Sequence, residues 1–377
     1  MIGPSPLGLV PAPPRWVVDH AALRAAWPWL VPLDGCPQDP IHHAEGDVGL
    51  HTRMVADALV ASPEWRALPA SAREELFAAA LLHDVAKPEV TVVAPDGRVS
   101  SAGHARLGER RARRLLWELG VEPARRERVC ALVRHHLLPF VALKDAAPER
   151  RLLRAGLRAP LRWLALLAEA DARGRRCADQ AAILEAVDLF RVLAGELECL
   201  EGPYPFASDH ARFLYFRREG RHPAAPAVLE ARGEATLLSG LPAAGKSSWF
   251  ARHAGARPVV SLDRLRAELG VDPAKPQGRV VAAAREEATA HLRAGRDFVW
   301  DATHLTRGLR GLSIDLCARY AFAVRIVCVE APAAEVRARN AARARPVPPE
   351  VLERLVDKWE PPEPGEAHRV DWAEGGT

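Results

Sequence analysis

The chain has 377 residues, of which 49% are hydrophobic and 27% are charged, and its formal net charge is +4. This length suggests two or three domains, and the composition is that of a globular protein that can bury a large core. The mild positive charge is compatible with a polyanionic partner and demands none.

Two features of the sequence bear on its compartment. No run of 18 apolar residues and no basic leader followed by an apolar stretch is found, so we expect neither membrane insertion nor secretion. The six cysteines are scattered without C-x-x-C spacing, which predicts reduced thiols in a cytoplasmic protein.

The first part of the chain is predicted to be helical. Residues 1–14 are proline-rich without periodicity, and we expect them to be disordered. Residues 15–200 are predicted to form one all-α domain, with helical patterns at 71–87, 105–119, 122–137, 149–170 and 179–200. Ser71 and Glu74 have the spacing of a capping box that opens the first of these helices, which Pro88 is expected to end. Residues 91–103 are predicted to form a loop.

Histidine and aspartate recur along this helical part. His83 and Asp84 are adjacent at the end of an apolar helix, where burying both is costly unless a cation neutralises and coordinates them. Imidazole and carboxylate ligands together suit Mn, Fe, Co, Ni or Zn. A single His-Asp pair is more often structural, so the prediction depends on the whole set, which also contains His51, His104, His135, His136 and Asp171.

The pattern changes after a connector. Residues 201–232 mix aromatic, proline and charged side chains, and we interpret them as a packed connector between domains. From 233 to 377 the chain alternates short apolar runs at 235–239, 258–261, 298–303 and 324–329 with helical patterns at 246–254, 278–294 and 307–319. This alternation predicts an α/β domain with a parallel sheet and with ligands at the carboxyl ends of its strands.

A G-x-x-x-x-G-K-S run follows the first predicted strand. Gly240 and Gly245 allow backbone N–H groups to surround phosphate oxygens, and Lys246 supplies a positive charge for the β- and γ-phosphates. The Ser247 hydroxyl can ligate Mg²⁺, and Ser248 follows it at the start of a predicted helix. A turn of small residues is the structural alternative, and the strand–loop–helix context argues against it.

Charged residues follow the next two strands. Asp263 can accept a proton from an attacking hydroxyl, and Arg266, one helical turn later, can hold a phosphate of the acceptor. The alternative is a helix capped by Ser261 with ordinary first-turn charges. Asp301 could hold Mg²⁺ through water or orient Asp263, and the structural alternative is that it caps its strand. Arg307 is a candidate contact for nucleic acid.

An arginine-rich segment follows the fourth strand. Arginines on a mobile helical lid can neutralise charge on a phosphoryl group in transfer, and a solvated charged face is the alternative. Arg339 and Arg343 are the best candidates in this segment, which also contains Arg337, Asn340 and Arg345.

Residues from about 233 onward resemble the P-loop polynucleotide 5′-kinases of the phage end-healing type. GLPAAGKS, S-x-D-x-x-R, D-A-T-H, and an R-N-x-x-R lid followed by KWEPPEPGEA occur in the order of that family. The resemblance implies Lys246 and Ser247 on the donor phosphates and Mg²⁺, Asp263 as general base on a 5′-hydroxyl, and Arg266 on the acceptor's 3′-side phosphate. It also implies that Arg343, or else Arg339, clamps the γ-phosphate. The Ala-Ala pair of this P-loop departs from the common glycine, and we expect it to be tolerated.

Residues 35–200 resemble the HD phosphohydrolase superfamily, in the branch similar to the HD domains of tRNA nucleotidyltransferases. The resemblance implies four ligands for a first metal ion: His51, His83, Asp84 and Asp171. A second ion, bridged by Asp84, would take His104 and either His135 or His136, of which His136 fits an H-x-x-P pattern slightly better. Lys87 and His43 are candidate phosphate contacts, and a solvated lysine and a capped turn histidine are equally good interpretations.

Together the two halves resemble the bacterial HD-Pnk end-healing enzymes. The resemblance implies a hydrolase for 2′,3′-cyclic phosphate and 2′- or 3′-phosphate ends, joined to a kinase that uses ATP or GTP with Mg²⁺ on 5′-hydroxyl ends. RNA or DNA ends would then be the partners, a ligase would act on the products, and a homodimer is left open. Two other hypotheses remain: a nucleotide phosphohydrolase fused to a small-metabolite kinase, and a non-enzymatic nucleotide-gated scaffold.

Overall fold

The chain forms two compact units, Met1–Pro205 and Phe206–Thr377, in a computed structural model that describes residues 9–272 and 275–375. The predicted disordered segment 1–14 falls largely on residues 1–8, which lie outside the described residues. The division at 205/206 assigns residues 206–232, which we expected in a connector, to the second unit. Over the described ranges, no helix combines the length and the apolar character needed to cross a bilayer.

The first unit is helical apart from one short hairpin. Its helices are α1 (His20–Ala26), α2 (Val48–Ala61), α3 (Pro63–Ala67), α4 (Ala70–Leu82), α5 (Lys87–Val90), α6 (His104–Glu118), α7 (Pro123–His135), α8 (Leu138–Val141), α9 (Pro148–Gly156), α10 (Leu161–Arg173) and α11 (Gln180–Glu196), with 3₁₀ turns at Pro28–Leu33 and Ala142–Lys144. Strands β1 (Val92–Val93) and β2 (Val99–Ser100) form an antiparallel hairpin inside the predicted loop 91–103.

The core of this unit is made where α2, α4, α7 and α10 pack together. Leu59, Phe77, Val129 and Leu167 represent the four helices in this core, and each is fully buried. The close approach of α10 to α2 requires Gly174, because a Cβ there would lie 2.7 Å from a methyl of Val55. The packing therefore brings the start of α2 and the ends of α4 and α10 together.

Two helical predictions need correction. Helix α4 begins at Ala70 after Pro69, and Ser71 makes no cap because it already lies inside the helix. The helix ends at Leu82, so that Pro88 lies in the first turn of α5, where the missing N–H of proline leaves no hydrogen bond unmade. The predicted helix 149–170 is two helices, α9 and α10, because Pro160 cannot continue the first and instead precedes the second.

The second unit is an α/β layer structure. It comprises α12 (Asp209–Arg217), β3 (Glu234–Ser239), α13 (Lys246–His253), β4 (Val259–Ser261), α14 (Leu262–Glu268), α15 (Gly278–Arg293), β5 (Phe298–Asp301), α16 (Arg307–Arg319), β6 (Ala323–Glu330), α17 (Ala333–Ala341), α18 (Pro349–Asp357) and β7 (Arg369–Glu374). All five strands are parallel, in the order β4-β5-β3-β6-β7. The predicted two-domain fold, all-α followed by α/β with a parallel sheet, is confirmed.

The sheet explains where the site of this unit lies. Strand β3 is central and almost fully buried, and its residues pair with β5 on one side and β6 on the other. Leu237, Phe298, Phe322 and Ile326 form the core with the apolar face of α15. Because the strands are parallel, the segments after β3, β4 and β5 all begin at the same edge. The sequence did not predict β7, whose residues RVDWAE contain no apolar run and form an edge strand.

Candidate active sites in the two units

Four predicted metal ligands meet in the first unit. His51 lies in the first turn of α2, His83 and Asp84 follow α4, and Asp171 lies near the end of α10. The Nε2 atom of His51 is 3.1 Å from Asp171 Oδ1 and 4.0 Å from Asp84 Oδ2. His83 Nε2 is 3.2 Å from the same Asp84 oxygen, and all four side chains are buried. Three separate helices therefore deliver one compact ligand set.

A second set faces the other oxygen of Asp84. The Nε2 atoms of His104 and His136 lie 3.4 and 4.0 Å from Asp84 Oδ1 and 3.3 Å from each other. Of the two adjacent histidines at the end of α7, His136 joins this set, whereas His135 belongs to none of the clusters found among the described residues. Asp84 thus presents one oxygen to each set, which is the arrangement that a carboxylate bridging two cations requires.

The ring orientations fit a cation. His83, His104 and His136 each contact the carbonyl of the residue three positions earlier through Nδ1, at 2.7, 2.8 and 2.8 Å. A proton on Nδ1 leaves the Nε2 lone pair of each ring free to ligate. The buried atoms of the cluster that have no hydrogen-bond partner among the described residues include His51 Nε2, His83 Nε2 and Asp84 Oδ1. Orphaned acceptors of this kind are costly unless a cation satisfies them, so the residues present fit a divalent metal ion.

The charge states of Asp84 and His136 favour ligation, whereas at His51 a cation has to displace a proton. Burial lowers the pKa of His51, but Asp171 and Glu45 outweigh burial and raise this pKa to about 9. Burial opposes ionisation of Asp84, but Lys87 and His83 outweigh it and hold the pKa of this carboxyl well below its usual range. Burial lowers the pKa of His136 to about 3, so that its ring is neutral at pH 7. Ionised carboxylates and neutral imidazoles are the forms that bind metal ions.

Two cations of the chain itself balance these buried carboxylates. Lys87 Nζ lies 2.8 Å from Asp84 Oδ2 and donates to Gln38 Oε1 at 2.7 Å. Arg175 makes two hydrogen bonds to Asp171, of 2.9 and 2.7 Å, and its guanidinium lies over the Phe140 ring. The sequence reasoning missed Gln38 and Arg175, and it named Lys87 only as a candidate.

A cavity of about 240 Å³ opens onto this cluster. Its lining includes Asp84, His104, His136 and Asp171, together with groups that could contact a phosphate: His42, His43, Lys87 and Arg175. The cavity is large enough for a terminal phosphate and its sugar.

Glu45 is a further residue that the sequence reasoning did not assign. Its side chain is fully buried, and it accepts hydrogen bonds from His43 Nδ1 and from the backbone N–H of Arg176, both at 2.8 Å. His51 Nδ1 lies 3.0 Å from the same carboxylate. Burial opposes ionisation, but these three contacts hold the pKa of Glu45 well below its usual range. The position of Glu45 between His43 and His51 in one short segment is the sequence signal that could have identified it.

The second site begins at the P-loop after β3. Gly240 and Gly245 adopt φ values of 152° and 99°, and a Cβ on Gly240 would lie 2.3 Å from the carbonyl oxygen of Val329. Ala243 also takes a positive φ of 62°, so this is the position where a glycine would be unstrained. Lys246 Nζ donates to the carbonyls of Gly240 and Leu241 at 3.0 and 2.8 Å. The loop therefore has the backbone conformation of a phosphate-binding loop, and the Lys246 side chain lies across it.

The charged groups that we predicted around Lys246 shift the pKa of this lysine. Burial lowers the pKa of Lys246 to about 8, against the raising effect of Asp301 and Asp263, and Arg343 lowers it further. Ser247 and Ser248 are exposed at the start of α13. Phosphate oxygens at this loop would replace the carbonyls as partners of the lysine.

The end of β4 carries the predicted base. Ser261 caps α14, as the structural alternative expected, and its hydroxyl also donates to Asp301 Oδ2 at 3.2 Å. Asp263 lies in the first turn of α14 with its side chain 71% exposed, and Arg266 contacts it. Burial raises the pKa of Asp301 despite the opposing charge of Lys246. The structure therefore brings a buried and an exposed carboxylate to the P-loop.

The other predicted arginines differ in their surroundings. Arg339 is held by Glu335 at 2.6 Å and by the carbonyl of Gly375 at 2.5 Å, whereas Arg343 is exposed. Asn340 makes two hydrogen bonds to the backbone of Val347 and so closes the loop between α17 and α18. The Arg307 side chain lies 3.2 Å from Glu363, so nucleic acid would have to compete with this exposed ion pair.

His304 and Arg310, which follow β5, make contacts that support the P-loop. His304 contacts the carbonyl of Leu238 through Nδ1 at 2.9 Å, and its own carbonyl accepts from Ser239 and Arg310. Arg310 is fully buried in a two-bond ion pair with Glu366. The D-A-T-H segment therefore holds the start of the P-loop in place.

Comparison with known proteins divides the chain in the same way. A family model of the HD domain matches residues 48–181, and a model of an AAA domain matches residues 236–362. A multifunctional CCA protein of Xanthomonas campestris pv. campestris (strain B100) is 34% identical over 190 residues, which cover 48% of this chain and 43% of that protein. A multifunctional CCA protein of Halorhodospira halophila is 33% identical over 141 residues, 36% of this chain and 31% of that protein.

The chain therefore spans less than half the length of these curated relatives. Among solved structures, a Chloroflexus aurantiacus protein provisionally described as a kinase aligns at 18% identity over 38% of this chain and 86% of its own, with a TM-score of 0.31.

The family matches and the geometry together define the two domains. The chain carries an HD domain followed by a P-loop domain of the AAA type, whose sheet has five parallel strands. An HD domain implies a divalent metal ion, for which the His/Asp clusters provide ligands, and a P-loop implies a nucleotide with Mg²⁺.

Proposed function

We propose that this chain heals both ends of a nucleic-acid break. The HD domain would hydrolyse 2′,3′-cyclic phosphate and 2′- or 3′-phosphate ends, and the P-loop domain would transfer the γ-phosphate of ATP or GTP to a 5′-hydroxyl. The observation that carries the proposal is the exposed carboxylate of Asp263, which contacts Arg266 and acts electrostatically on Lys246. A base at an open site, with an arginine for a further phosphate next to it, suits the end of a polymer.

The hydrolytic half depends on the Asp84 cluster. A divalent cation bound there supplies Lewis-acid chemistry and offsets negative charge at phosphorus. Asp84, with one oxygen toward each histidine set, would hold that cation beside the reacting phosphate. Lys87 and Arg175 are positively charged residues of the cavity lining that can contact the phosphate oxygens. His43, which is hydrogen-bonded to Glu45, is a third candidate.

The kinase half depends on charge placement around the P-loop. Lys246 and the loop N–H groups hold the donor phosphates, and Ser247 provides a hydroxyl for Mg²⁺. Asp263 accepts the proton of the 5′-hydroxyl, and exposed Arg343 is free to move onto the γ-phosphate. Arg339 would first have to leave Glu335 and Gly375.

The products of the two reactions belong together. A 3′-hydroxyl and a 5′-phosphate are the ends that a ligase joins, so we propose that a ligase acts next. The net charge of +4 suits contact with a phosphate backbone without base recognition. We also propose a cytoplasmic location, which the six scattered cysteines without C-x-x-C spacing support.

One substrate tests both halves at once. An oligonucleotide with a 5′-hydroxyl and a 2′,3′-cyclic phosphate is incubated with ATP, Mg²⁺ and a panel of Mn²⁺, Co²⁺, Ni²⁺ and Zn²⁺. We expect Lys246→Ala and Asp263→Ala to abolish 5′-phosphorylation and to spare opening of the cyclic phosphate, and Asp84→Ala to do the reverse. If one folded single variant loses both activities, the assignment of one activity to each domain is wrong.

A second candidate function is equally compatible with the size of the HD cavity. A volume of about 240 Å³ would also accept a free nucleotide. The chain would then be a nucleotide phosphohydrolase fused to a small-metabolite kinase. Radiolabelled γ-phosphate that reaches only nucleosides or sugars, and never the oligonucleotide, would establish this alternative and refute end healing.

A further inference from the structure

A second cavity of the first unit, which we call the α1 cavity, lies between α1, the 3₁₀ turn at Pro28–Leu33 and α2 and has a volume of about 240 Å³. Its wall contains four leucine side chains, of which all but Leu30 are at most 2% exposed: Leu23, Leu30, Leu33 and Leu81. The α1 cavity shares no lining residue with the cavity over the metal cluster. It is therefore a separate candidate site for a ligand.

Two arginines at the rim of the α1 cavity share one carboxylate. A guanidinium nitrogen of Arg24 contacts Asp34 Oδ2, and Arg53 Nη1 donates to Asp34 Oδ1 at 3.0 Å. These arginine side chains are 50% and 41% exposed, and neither makes a further hydrogen bond to the residues that the structure describes. His20 also lines the cavity, and its Nε2 is hydrogen-bonded to Asp57, outside the lining, at 2.9 Å. The ionised side chains of the lining therefore leave a surplus of one positive charge.

This charge and the leucine wall together define a class of ligand. A carboxylate brings one negative charge and two oxygens in the geometry that a guanidinium binds through two parallel hydrogen bonds. A phosphomonoester would bring a charge of about −1.5 to −2 at pH 7, which exceeds the surplus. An apolar body gains free energy when it leaves water and contacts the leucines. Small monocarboxylates with an apolar body fit both properties.

One wall of the α1 cavity is the start of α2, which also carries a predicted metal ligand. Gly49 and Thr52 line the cavity. His51 lies between them in the sequence but not in the lining, and its Nε2 is 3.1 Å from Asp171 Oδ1. A Cβ on Gly49 would lie 2.2 Å from Asp34 Oδ1, so Asp34 packs directly on the helix backbone. The carboxylate that the two arginines share therefore contacts the turn that positions His51.

Hydrogen bonds connect the segment after the 3₁₀ turn to the same part of α2. The Asp47 carboxylate accepts from the backbone N–H groups of Gly35 and Leu50, both at 2.7 Å. The N–H of Val48 donates to the carbonyl of Cys36 at 3.0 Å. A ligand that bridges the two arginines holds this segment in place and so restricts motion at the start of α2. Metal ligands that are ordered beforehand bind a cation with a smaller loss of conformational entropy.

We propose that the α1 cavity binds a small monocarboxylate with an apolar body, and that this ligand increases the metal affinity of the cluster that contains His51. The carboxylate lies between Arg24 and Arg53, and the apolar body fills the space between the leucines. The site is separate from both proposed reactions, since neither uses a residue of its lining. A metabolite of this class would then regulate the HD domain through its metal ion.

The first experiment measures ligand binding to the full chain by saturation-transfer NMR. The probes are cyclohexanecarboxylate, cyclohexanemethanol, cyclohexyl phosphate and acetate, which vary the head group and the body separately. We expect cyclohexanecarboxylate to bind about tenfold more tightly than the alcohol and acetate, because the charged contact and the buried ring are both needed, and more tightly than the phosphate. Equal or tighter binding of the alcohol or the phosphate in this cavity would overturn the ligand class, and no saturable binding of cyclohexanecarboxylate would overturn the site.

Variants locate the bound probe. Arg24→Gln should weaken binding of cyclohexanecarboxylate by about tenfold, since it removes one of the two cations. Arg151→Gln is the matched control and should leave the Kd unchanged, because Arg151 is 52% exposed and pairs with Asp145 as Arg24 pairs with Asp34. Leu30→Trp fills the cavity and should abolish binding there, and unfolding midpoints show whether it folds; if it does not, Arg24→Gln decides alone. Folded variants that bind cyclohexanecarboxylate like wild type would show that the ligand lies elsewhere and would refute the proposal.

The second experiment measures Mn²⁺ binding by titration calorimetry, with saturating cyclohexanecarboxylate or with acetate at the same concentration. We expect cyclohexanecarboxylate to lower the Kd of Mn²⁺ by about fivefold, at the lower end of couplings between two sites. The same addition should have no effect in Leu30→Trp. An unchanged or higher Kd in wild type would show that the α1 cavity does not act on the metal cluster, and the proposed coupling would be wrong.

Discussion

Glu45 shows how a single buried carboxylate can organise a metal site. It contacts His43 and His51 at once and receives the backbone N–H of Arg176, so it links the segment before α2 to the segment after α10. A carboxylate on the far nitrogen of a ligating histidine fixes the ring and raises its basicity.

We expect Glu45→Gln to weaken metal binding. The neutral amide keeps the volume but removes the charge that faces His51 Nδ1, and loss of such a contact typically costs about 10- to 100-fold in metal affinity. Titration calorimetry with Mn²⁺ measures this directly. Glu89→Gln, at an exposed acid paired with Arg111, is the control and should bind Mn²⁺ like wild type. Equal affinities in the two variants would show that Glu45 does not position His51.

His304 makes the stability of the second unit depend on pH. Burial lowers the pKa of His304 to about 4, opposed by its contact with the Leu238 carbonyl and reinforced by the charges of Arg310 and Lys246. Its ordinary value is 6.5. Between pH 6.5 and 4 the unfolded chain therefore binds a proton that the folded chain does not. Stability falls as the pH drops through this window and is unaffected by His304 above it.

We expect His304→Asn to reduce this acid sensitivity. The lowering of the His304 pKa from 6.5 to about 4 corresponds to roughly 3 kcal/mol in the free energy of unfolding. About 2 kcal/mol of this is lost when the pH falls to 5. Asparagine keeps a donor near Leu238 and tolerates the φ of 40° at this position. Urea unfolding at pH 7.5 and 5.0 should show a smaller loss in the variant than in wild type. The exposed His222→Asn is the control, and an equal loss in all three proteins would contradict the assignment.

At the scale of elements, β7 matters through the residue that follows it. The N–H of Gly375 donates to the carbonyl of Glu330, and a Cβ on Gly375 would lie 1.7 Å from the carbonyl oxygen of Ala244 in the P-loop. The carbonyl of Gly375 also holds Arg339 of α17. The segment after this edge strand therefore contacts both the P-loop and α17.

We expect Gly375→Ala to impair nucleotide binding. The methyl group has to push Ala244 or the end of β7 aside, and overpacking of this kind costs about 1–3 kcal/mol. The KM for ATP in the kinase assay should rise by tenfold or more, while hydrolysis by the HD domain should stay unchanged. Gly308→Ala, in α16 with open space around it, is the matched control. An unchanged KM would show that this contact does not set the shape of the loop.

At the scale of the whole molecule, two cores support two ligand sites. The helical unit buries its own apolar side chains, and so does the sheet unit. A ligand that binds only the native state stabilises the unit that binds it, by RT ln(1 + [L]/Kd).

We expect the two ligands to stabilise different parts of the chain. Mn²⁺ at 100 times its Kd should raise the stability of the HD domain by about 2.7 kcal/mol, and a chelator should remove this gain. Hydrogen exchange read out by peptide should show Mn²⁺ protection in α2, α4 and α10, and ATP–Mg²⁺ protection around the P-loop. Asp84→Ala should lose the first effect and keep the second. Mn²⁺ protection centred on residues 240–248 would refute this assignment of ligands.

The sequence by itself determined the type of most elements and the residue types that are available at both candidate sites. Hydrophobic periodicity and the spacing of the P-loop glycines and lysine are local properties, so the strands at 235–239 and 324–329 and the loop at 240–247 follow from residues close together in the chain. The edge strand β7 was missed because its pairing with β6 depends on neighbours that a local pattern does not contain. The break at Pro160 was missed although proline is itself a local signal for the end of a helix.

Only the tertiary structure decided which side chains meet. His135 and His136 are adjacent at the end of α7, and packing of that helix alone brings His136 to Asp84. Glu45 contacts the backbone N–H of Arg176, and His304 and Arg310 contact Leu238 and Glu366, and each of these partners is distant in the chain. Residue types and their spacing carry chemistry, but distances between separate helices and strands are set by how their side chains pack, and that information is not local.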